Sequence, residues 1–130
     1  MVIGTDLDGV LTKIGLYNTN TKLPWWCGLW LIFVPADKRM IKSLGGRSII
    51  IISARPKQLE SITRLWLKIH RVSFTSLVLV GPGKNMAEKK LAAIKEFGID
   101  IYIDDDIRTV IFLEDAGVNA FHCKGASCRR

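Results

Sequence analysis

The chain has 130 residues, 48% hydrophobic and 24% charged, enough for one domain around one core and too apolar for a disordered segment. Nineteen Lys and Arg against twelve Asp and Glu give a formal charge of +7, which suits a polyanionic or phosphorylated partner, an anionic membrane surface, or simple solubility. No apolar run reaches the roughly twenty residues a bilayer-crossing helix needs, and three cysteines without a secretory signal point to a reducing, cytoplasmic setting.

The chain opens with Val2-Ile3, a short buried strand, and runs into Asp6-Leu7-Asp8-Gly9, two carboxylates one residue apart followed by a residue that can turn freely. Acids at the mouth of a buried strand are costly unless a positive group sits between them, so Asp6 and Asp8 are candidates to meet one metal ion, one of them through its carbonyl. Residues 13–22 are polar and read as a loop or flap. Residues 23–35 follow, uncharged and holding three of the four tryptophans. Three readings compete for Trp25–Val34: a segment covering the core, a surface joining two subunits, and a shallow anchor on a membrane surface that makes the protein peripheral to it.

Pro35-Ala36-Asp37 opens a helix with Met40, Ile41 and Leu44 on its apolar face, stopped by Gly45-Gly46. Ser48–Ser53 is a β-branched run that reads as a strand buried on both faces. Pro56 starts a helix to about His70, with Leu59, Ile62, Leu65, Trp66 and Ile69 at helical spacing. Leu77–Val80 is a third strand, closed by Gly81-Pro82-Gly83-Lys84, which lacks the spacing and following Ser/Thr of a nucleotide phosphate loop and reads as a turn. A helix over Met86–Phe97 ends at Gly98, a strand over Ile99–Ile103 ends in Asp104-Asp105-Asp106, a helix covers Ile107–Ala116, and Val118–Phe121 is a fifth strand. The basic tail from Lys124 to Arg130 reads as frayed. His122, Cys123 and Cys128 fall short of a zinc site. Strands alternating with helices predict a single α/β domain over residues 1–130, a three-layer Rossmann-like fold with a central parallel sheet of about five strands, and ligands at its carboxyl edge.

Three of these strand ends carry polar groups: Asp6 and Asp8, Ser53, and Asp104 with Asp105. The opening stretch resembles the first motif of the haloacid dehalogenase superfamily, hhhDxDGxxT/V, with Asp6, Asp8, Gly9 and Thr12 in the matching places. Ser53 after Ile49–Ile52 and Asp104-Asp105 after Ile101–Ile103 match later motifs, and the resemblance runs from residue 2 to about residue 121. The family's lysine falls among Lys84, Lys89 and Lys90. Lys90 fits the pattern best and Lys84 is the runner-up.

The resemblance implies a phosphatase. Asp6 would attack phosphorus and form an aspartyl-phosphate, Asp8 would serve as general acid and base, and Lys90 would offset negative charge. Ser53 would bind the phosphoryl oxygens, with Leu7, Ala54, Arg55 and Lys84 as further substrate contacts. For Arg55 a place on the surface is the competing reading. Mg²⁺ would be held by Asp6, the Asp8 carbonyl, Asp104 and Asp105, hard oxygen ligands suited to that ion. The family's large cap has no room here, since only the insertion at about 13–35 separates the first strand from the next helix. An open site of this kind favours phosphorylated polymers, sugars, nucleotides or lipid head groups. The alternatives are a non-catalytic phosphate- or nucleic-acid-binding module and a phospho-receiver domain on a similar frame.

Overall fold

The computed structural model describes residues 1–13, 34–124 and 127–129. Its strands are β1 (Val2–Thr5), β2 (Ser48–Ser53), β3 (Ser76–Leu79), β4 (Ile101–Asp104), β5 (Ala120–Lys124) and β6 (Ser127–Arg129). Its helices are α1 (Lys38–Ser43), α2 (Glu60–Ile69), α3 (Met86–Phe97) and α4 (Ile107–Asp115). The sheet order is β3-β2-β1-β4-β5-β6. The first five strands are parallel and β6 is antiparallel to β5. This is an α/β doubly wound arrangement, and its order differs from the 2-1-3-4-5 order of receiver-type sheets.

β2 shows why the two helical layers lie where they do. Its side chains alternate between faces, and Ile49 and Ile51 join one apolar cluster while Ile50 and Ile52 join the other. The first cluster holds Met40 and Leu44 from the α1 region and Trp66 and Leu67 from α2. The second holds Ala93 and Ile94 from α3 and Val110 and Leu113 from α4. A strand buried on both sides is what an unbroken run of isoleucines requires. β1 is closely covered, because a Cβ on Gly4 would lie 2.8 Å from Ile99 Cδ1 and 2.9 Å from Tyr102 Cδ1.

Several boundaries differ from the sequence expectation. The helix expected from Pro56 begins with a 3-10 turn over Lys57–Leu59 before α2 takes over. Ile99 and Asp100 belong to the entry of β4: Ile99 N–H donates to the Ile94 carbonyl, and Asp100 Oδ2 accepts the Val2 N–H at 2.7 Å. The fifth strand starts two residues later than expected and runs to Lys124, and the tail expected to fray contributes β6, whose Cys128 lies opposite Cys123 and is disulfide-bonded to it. The expectation of reduced thiols is therefore corrected for Cys123 and Cys128.

Most of the expected flap and tryptophan-rich insertion lies outside the described residues. Its two ends meet: Lys13 N–H donates to the Pro35 carbonyl at 2.9 Å, Asp37 N–H donates to the Leu11 carbonyl at 2.8 Å, and Thr12 bridges Ala36. The returning chain is anchored where Trp66 Nε1 donates to the Val34 carbonyl at 2.9 Å, and Val34 packs with Ala54 just beyond β2. No helix among the described residues is long and apolar enough to cross a membrane.

Candidate active site

The registers bring the polar strand ends to one level. Thr5 pairs with Ile103 and with Ile51, and Asp104 pairs with His122, so Asp6 and Asp104 stand side by side above the sheet, with Ser53 at the end of β2. Asp6 N–H donates to the Ile103 carbonyl at 2.8 Å, which continues the ladder through the first acid. A single helical turn follows, in which Leu11 and Thr12 N–H both donate to the Leu7 carbonyl. Thr12 Oγ1 accepts the Gly9 N–H at 3.0 Å and closes that turn. Gly9 has φ +86°, and a Cβ there would collide with the Asp105 carboxylate. The first acidic turn and the Asp104-Asp105 corner therefore fit together only because residue 9 has no side chain.

Asp6, Asp104 and Asp105 each place a carboxylate oxygen within 4.8 Å of the others. Lys90 lies buried beside them, its Nζ 2.7 Å from Asp104 Oδ2 and 3.5 Å from Asp6 Oδ1. Of the three candidate lysines, Lys90 is the one drawn into the cluster, while Lys84 and Lys89 are exposed. Helical spacing explains this: Lys90 shares the inner face of α3 with Ala93 and Ile94. Asp104 is further fixed by the Tyr102 hydroxyl at 3.0 Å and by the Asp106 N–H at 3.0 Å.

Asp8 goes elsewhere. Its carboxylate is gripped by Arg55, which donates from Nε to Oδ2 at 2.9 Å and from Nη2 to Oδ1 at 2.7 Å. Arg55 is fully buried, and its Nη1 donates to Thr63 Oγ1 at 3.1 Å. The surface reading of Arg55 is thereby overturned, and its guanidinium faces Asp8 and Thr63. Ser53 is buried, and its Oγ accepts the Arg55 N–H at 3.1 Å. Ala54 is buried in the same turn, and Leu7 N–H donates to Asp6 Oδ1 at 2.9 Å. Lys84 lies at the same edge, in the connection after β3.

Two contacts went unread in the sequence although their signals were there. Tyr102 stands two residues before Asp104, hence on the same side of β4. Thr63 is a polar residue on the apolar face of α2, fully buried with Trp66 and Leu67.

The electrostatics of the cluster are those of a site short of positive charge. Burial pushes the Asp6 carboxyl well above its ordinary value. Lys90 pulls it back, and the charges of Asp104, Asp105 and Asp8 push it further up. Burial and the charge of Asp104 lift Asp105 to about 7. Burial alone would lower Lys90, but Asp6 and Asp104 more than offset it and hold the ammonium above its usual range. Burial and the neighbouring Asp104 likewise raise the Tyr102 phenol. With Asp8 paired to Arg55, three carboxyls face one ammonium, so ionising all three would leave two negative charges unbalanced, which is why Asp6 and Asp105 hold their protons more tightly. Asp6 Oδ2 is buried and has no hydrogen-bond partner among the described residues. A bare buried carboxylate oxygen is costly, and a hard divalent cation held by Asp6, Asp104 and Asp105 would satisfy it with the ligand type such ions prefer.

No protein-family profile matches the sequence, and no curated protein matches it. Among solved structures the chain is similar to one described as "Structure of the Pnkp1/Rnl/Hen1 RNA repair complex", with a TM-score of 0.62 and 18% identity. The match covers 96% of this chain and 43% of that one, so this chain spans less than half the length of its structural neighbour. At that identity the likeness is one of fold.

Proposed function

We propose that the chain is a Mg²⁺-dependent phosphomonoester hydrolase of the haloacid dehalogenase type. The observation that carries this reading is the buried, unpartnered Asp6 Oδ2, set among Asp104, Asp105 and Lys90 at the carboxyl edge of the sheet. A carboxylate with one oxygen steadied by the Leu7 N–H and the other bare is arranged for in-line attack on phosphorus, giving an aspartyl-phosphate on Asp6. Lys90 is pinned by Asp104 where it offsets charge on the phosphoryl oxygens as they approach Asp6. Asp6, Asp104 and Asp105 would hold Mg²⁺, with the Asp8 carbonyl as a further oxygen, and when bound the ion would neutralise the phosphate that the acids otherwise repel.

Asp8 is the acid and base of this reading. Asp8 first takes up a proton from solvent as one oxygen leaves Arg55, passes that proton to the leaving oxygen, and as the resulting carboxylate takes one from the water that opens the acyl-phosphate. One of its oxygens must turn from Arg55 toward the leaving group while the other stays on the guanidinium. Ser53, whose Oγ accepts the Arg55 N–H, would be the hydroxyl that meets a phosphoryl oxygen. The shortness of the insertion between β1 and α1 favours an open site and large substrates. The fold likeness to a chain of an RNA repair complex makes polynucleotide ends worth including among them. A second copy or a membrane surface meeting Trp25–Val34 belongs to the same proposal.

The test is phosphate release from aryl, sugar, nucleotide, polynucleotide-end and lipid phosphates with Mg²⁺ and with EDTA. Release that needs Mg²⁺ and disappears in Asp6→Asn is the expected result. Absence of release from every ester, or full turnover by Asp6→Asn, would overturn the reading.

A further inference from the structure

At or within a few residues of the carboxyl ends of four parallel strands stands an exposed basic residue. Lys84 follows β3, Lys57 follows β2, Arg108 follows β4 and Lys124 ends β5. Because the sheet order is β3-β2-β1-β4-β5, these four are spread in strand order along one edge on both sides of the acidic cluster of β1 and β4, Lys57 leading into the α2 layer and Lys84 and Arg108 into the α3–α4 layer. Neighbouring strands lie about 4.8 Å apart, so the row spans about 19 Å at the level of the sheet. None of the four makes an ion pair among the described residues. The acids nearby are mostly occupied. Asp106 caps α4 through Arg108 N–H and the Thr109 hydroxyl, Asp37 caps α1, and Glu60 pairs with Arg64. Glu88, on the first turn of α3, is the exposed exception.

A spread row of single positive charges does not match a small monoester, which would occupy only the centre. It matches a polymer carrying a charge at every repeat. It offers little apolar surface to a membrane: Ile69 and Phe97 end their helices on the far side, Leu65 and Ile111 lie mid-helix, and of the exposed apolar residues in the helices only Ile107, opening α4, stands beside the row. The described cavities, lined by residues such as Ile41, Ile69 and Arg71, lie between α1 and α2 and away from the row.

We propose that this edge binds a single-stranded polynucleotide with a terminal phosphate, the end phosphate at Asp6 and the backbone phosphates along the row of Lys84, Lys57, Arg108 and Lys124. The proposal rests on the phosphatase reading for the end phosphate and on the charge row alone for the strand.

Two readouts separate the parts. The first is fluorescence anisotropy of a labelled oligonucleotide with the full chain in Mg²⁺, across a salt series. The second is kcat/KM for an oligonucleotide end phosphate relative to an aryl phosphate. The wild type should bind the strand with a steep salt dependence. The quadruple variant Lys57→Gln, Lys84→Gln, Arg108→Gln, Lys124→Gln should bind at least tenfold more weakly, with the log–log salt slope shallower by about 3, since each contact to a single strand contributes roughly 0.7. Its oligonucleotide-to-aryl ratio should fall in step. The double variant Lys68→Gln, Lys95→Gln, at the far ends of α2 and α3, should match the wild type in both readouts. Absence of strand binding, equal binding by the quadruple variant, or capture of anionic vesicles in its place would overturn the proposal. Strand binding that follows the row without phosphate release would instead sink the phosphatase reading and leave the row standing.

Discussion

Arg55 holds both carboxylate oxygens of Asp8 across 47 residues of sequence, in a pocket closed to solvent. A buried pair of this kind is expensive to break, because the surviving charge is left without a partner. Arg55→Ala should lower stability by about 3–5 kcal/mol in denaturant unfolding. Arg55→Lys keeps the charge but loses the planar two-point grip and the Thr63 contact. It should remain folded, lose stability by a smaller amount, and cut phosphate release at least tenfold. A lysine variant with full activity would show that orientation of Asp8 is unimportant.

Asp6→Asn removes one of three crowded acids. Burial already favours the neutral form of this carboxyl, so the substitution should hold or raise the melting temperature without metal. It should also lower turnover by on the order of a thousandfold or more, as loss of a nucleophile does. Loss of fold together with activity would show that Asp6 is structural.

Metal affinity should depend on pH with a definite sign. Asp105 is raised from 3.8 to about 7 in the folded, metal-free chain, and Asp6 moves in the same direction. A raised carboxyl stabilises the fold below its unfolded value and loses that contribution as pH climbs through the folded one. Metal-free protein should therefore lose melting temperature between about pH 4 and pH 7, and Asp105→Asn should flatten that slope. A cation binds the deprotonated acids, so the rise in melting temperature on adding Mg²⁺ should be larger at pH 8 than at pH 6 and should vanish with EDTA. A rise of equal size at both values would argue against carboxylate ligation.

Local patterning made most of the frame legible. The isoleucine run of β2 stated that both sheet faces are covered, and the alternation of strands and helices gave the parallel sheet. The acids at 6, 104 and 105 were readable as one group, because strand ends in such a sheet share an edge. The pairing of Asp8 with Arg55 was not readable, since nothing local links residues 8 and 55 and the chain offered arginines elsewhere. β6 escaped notice because a three-residue edge strand has no apolar period. It is recognisable only by its pairing with β5 and the Cys123–Cys128 bond.

Gly9 can be separated from other left-handed glycines by what its missing side chain would meet. Gly46 has φ +79° with nothing within 4 Å, whereas a Cβ on Gly9 would strike the Asp105 carboxylate. Gly46→Ala should cost about 1 kcal/mol from backbone strain alone. Gly9→Ala should cost more and, by displacing Asp105, should weaken Mg²⁺ binding at least tenfold in a titration followed by melting temperature. If both variants bind the ion equally, Asp105 is not a ligand.

The Cys123–Cys128 bond closes a short loop between β5 and β6. Its effect should be local and modest. A loop of this size constrains the unfolded chain by about 2 kcal/mol, and Cys128→Ser should lose no more than that. The far side of β5 is what reaches the acids: His122 pairs with Asp104, and its Nε2 lies 2.9 Å from the Asp105 carbonyl. Those contacts belong to the β4–β5 ladder and do not need β6, so the reduced protein should keep its Mg²⁺-dependent melting shift. Alkylation in denaturant, read by mass, checks the bond directly. Of the three cysteines, one should react before reduction and all three after it. Three adducts without reduction would place Cys123 and Cys128 in the thiol form and leave β6 held by its backbone pairing alone.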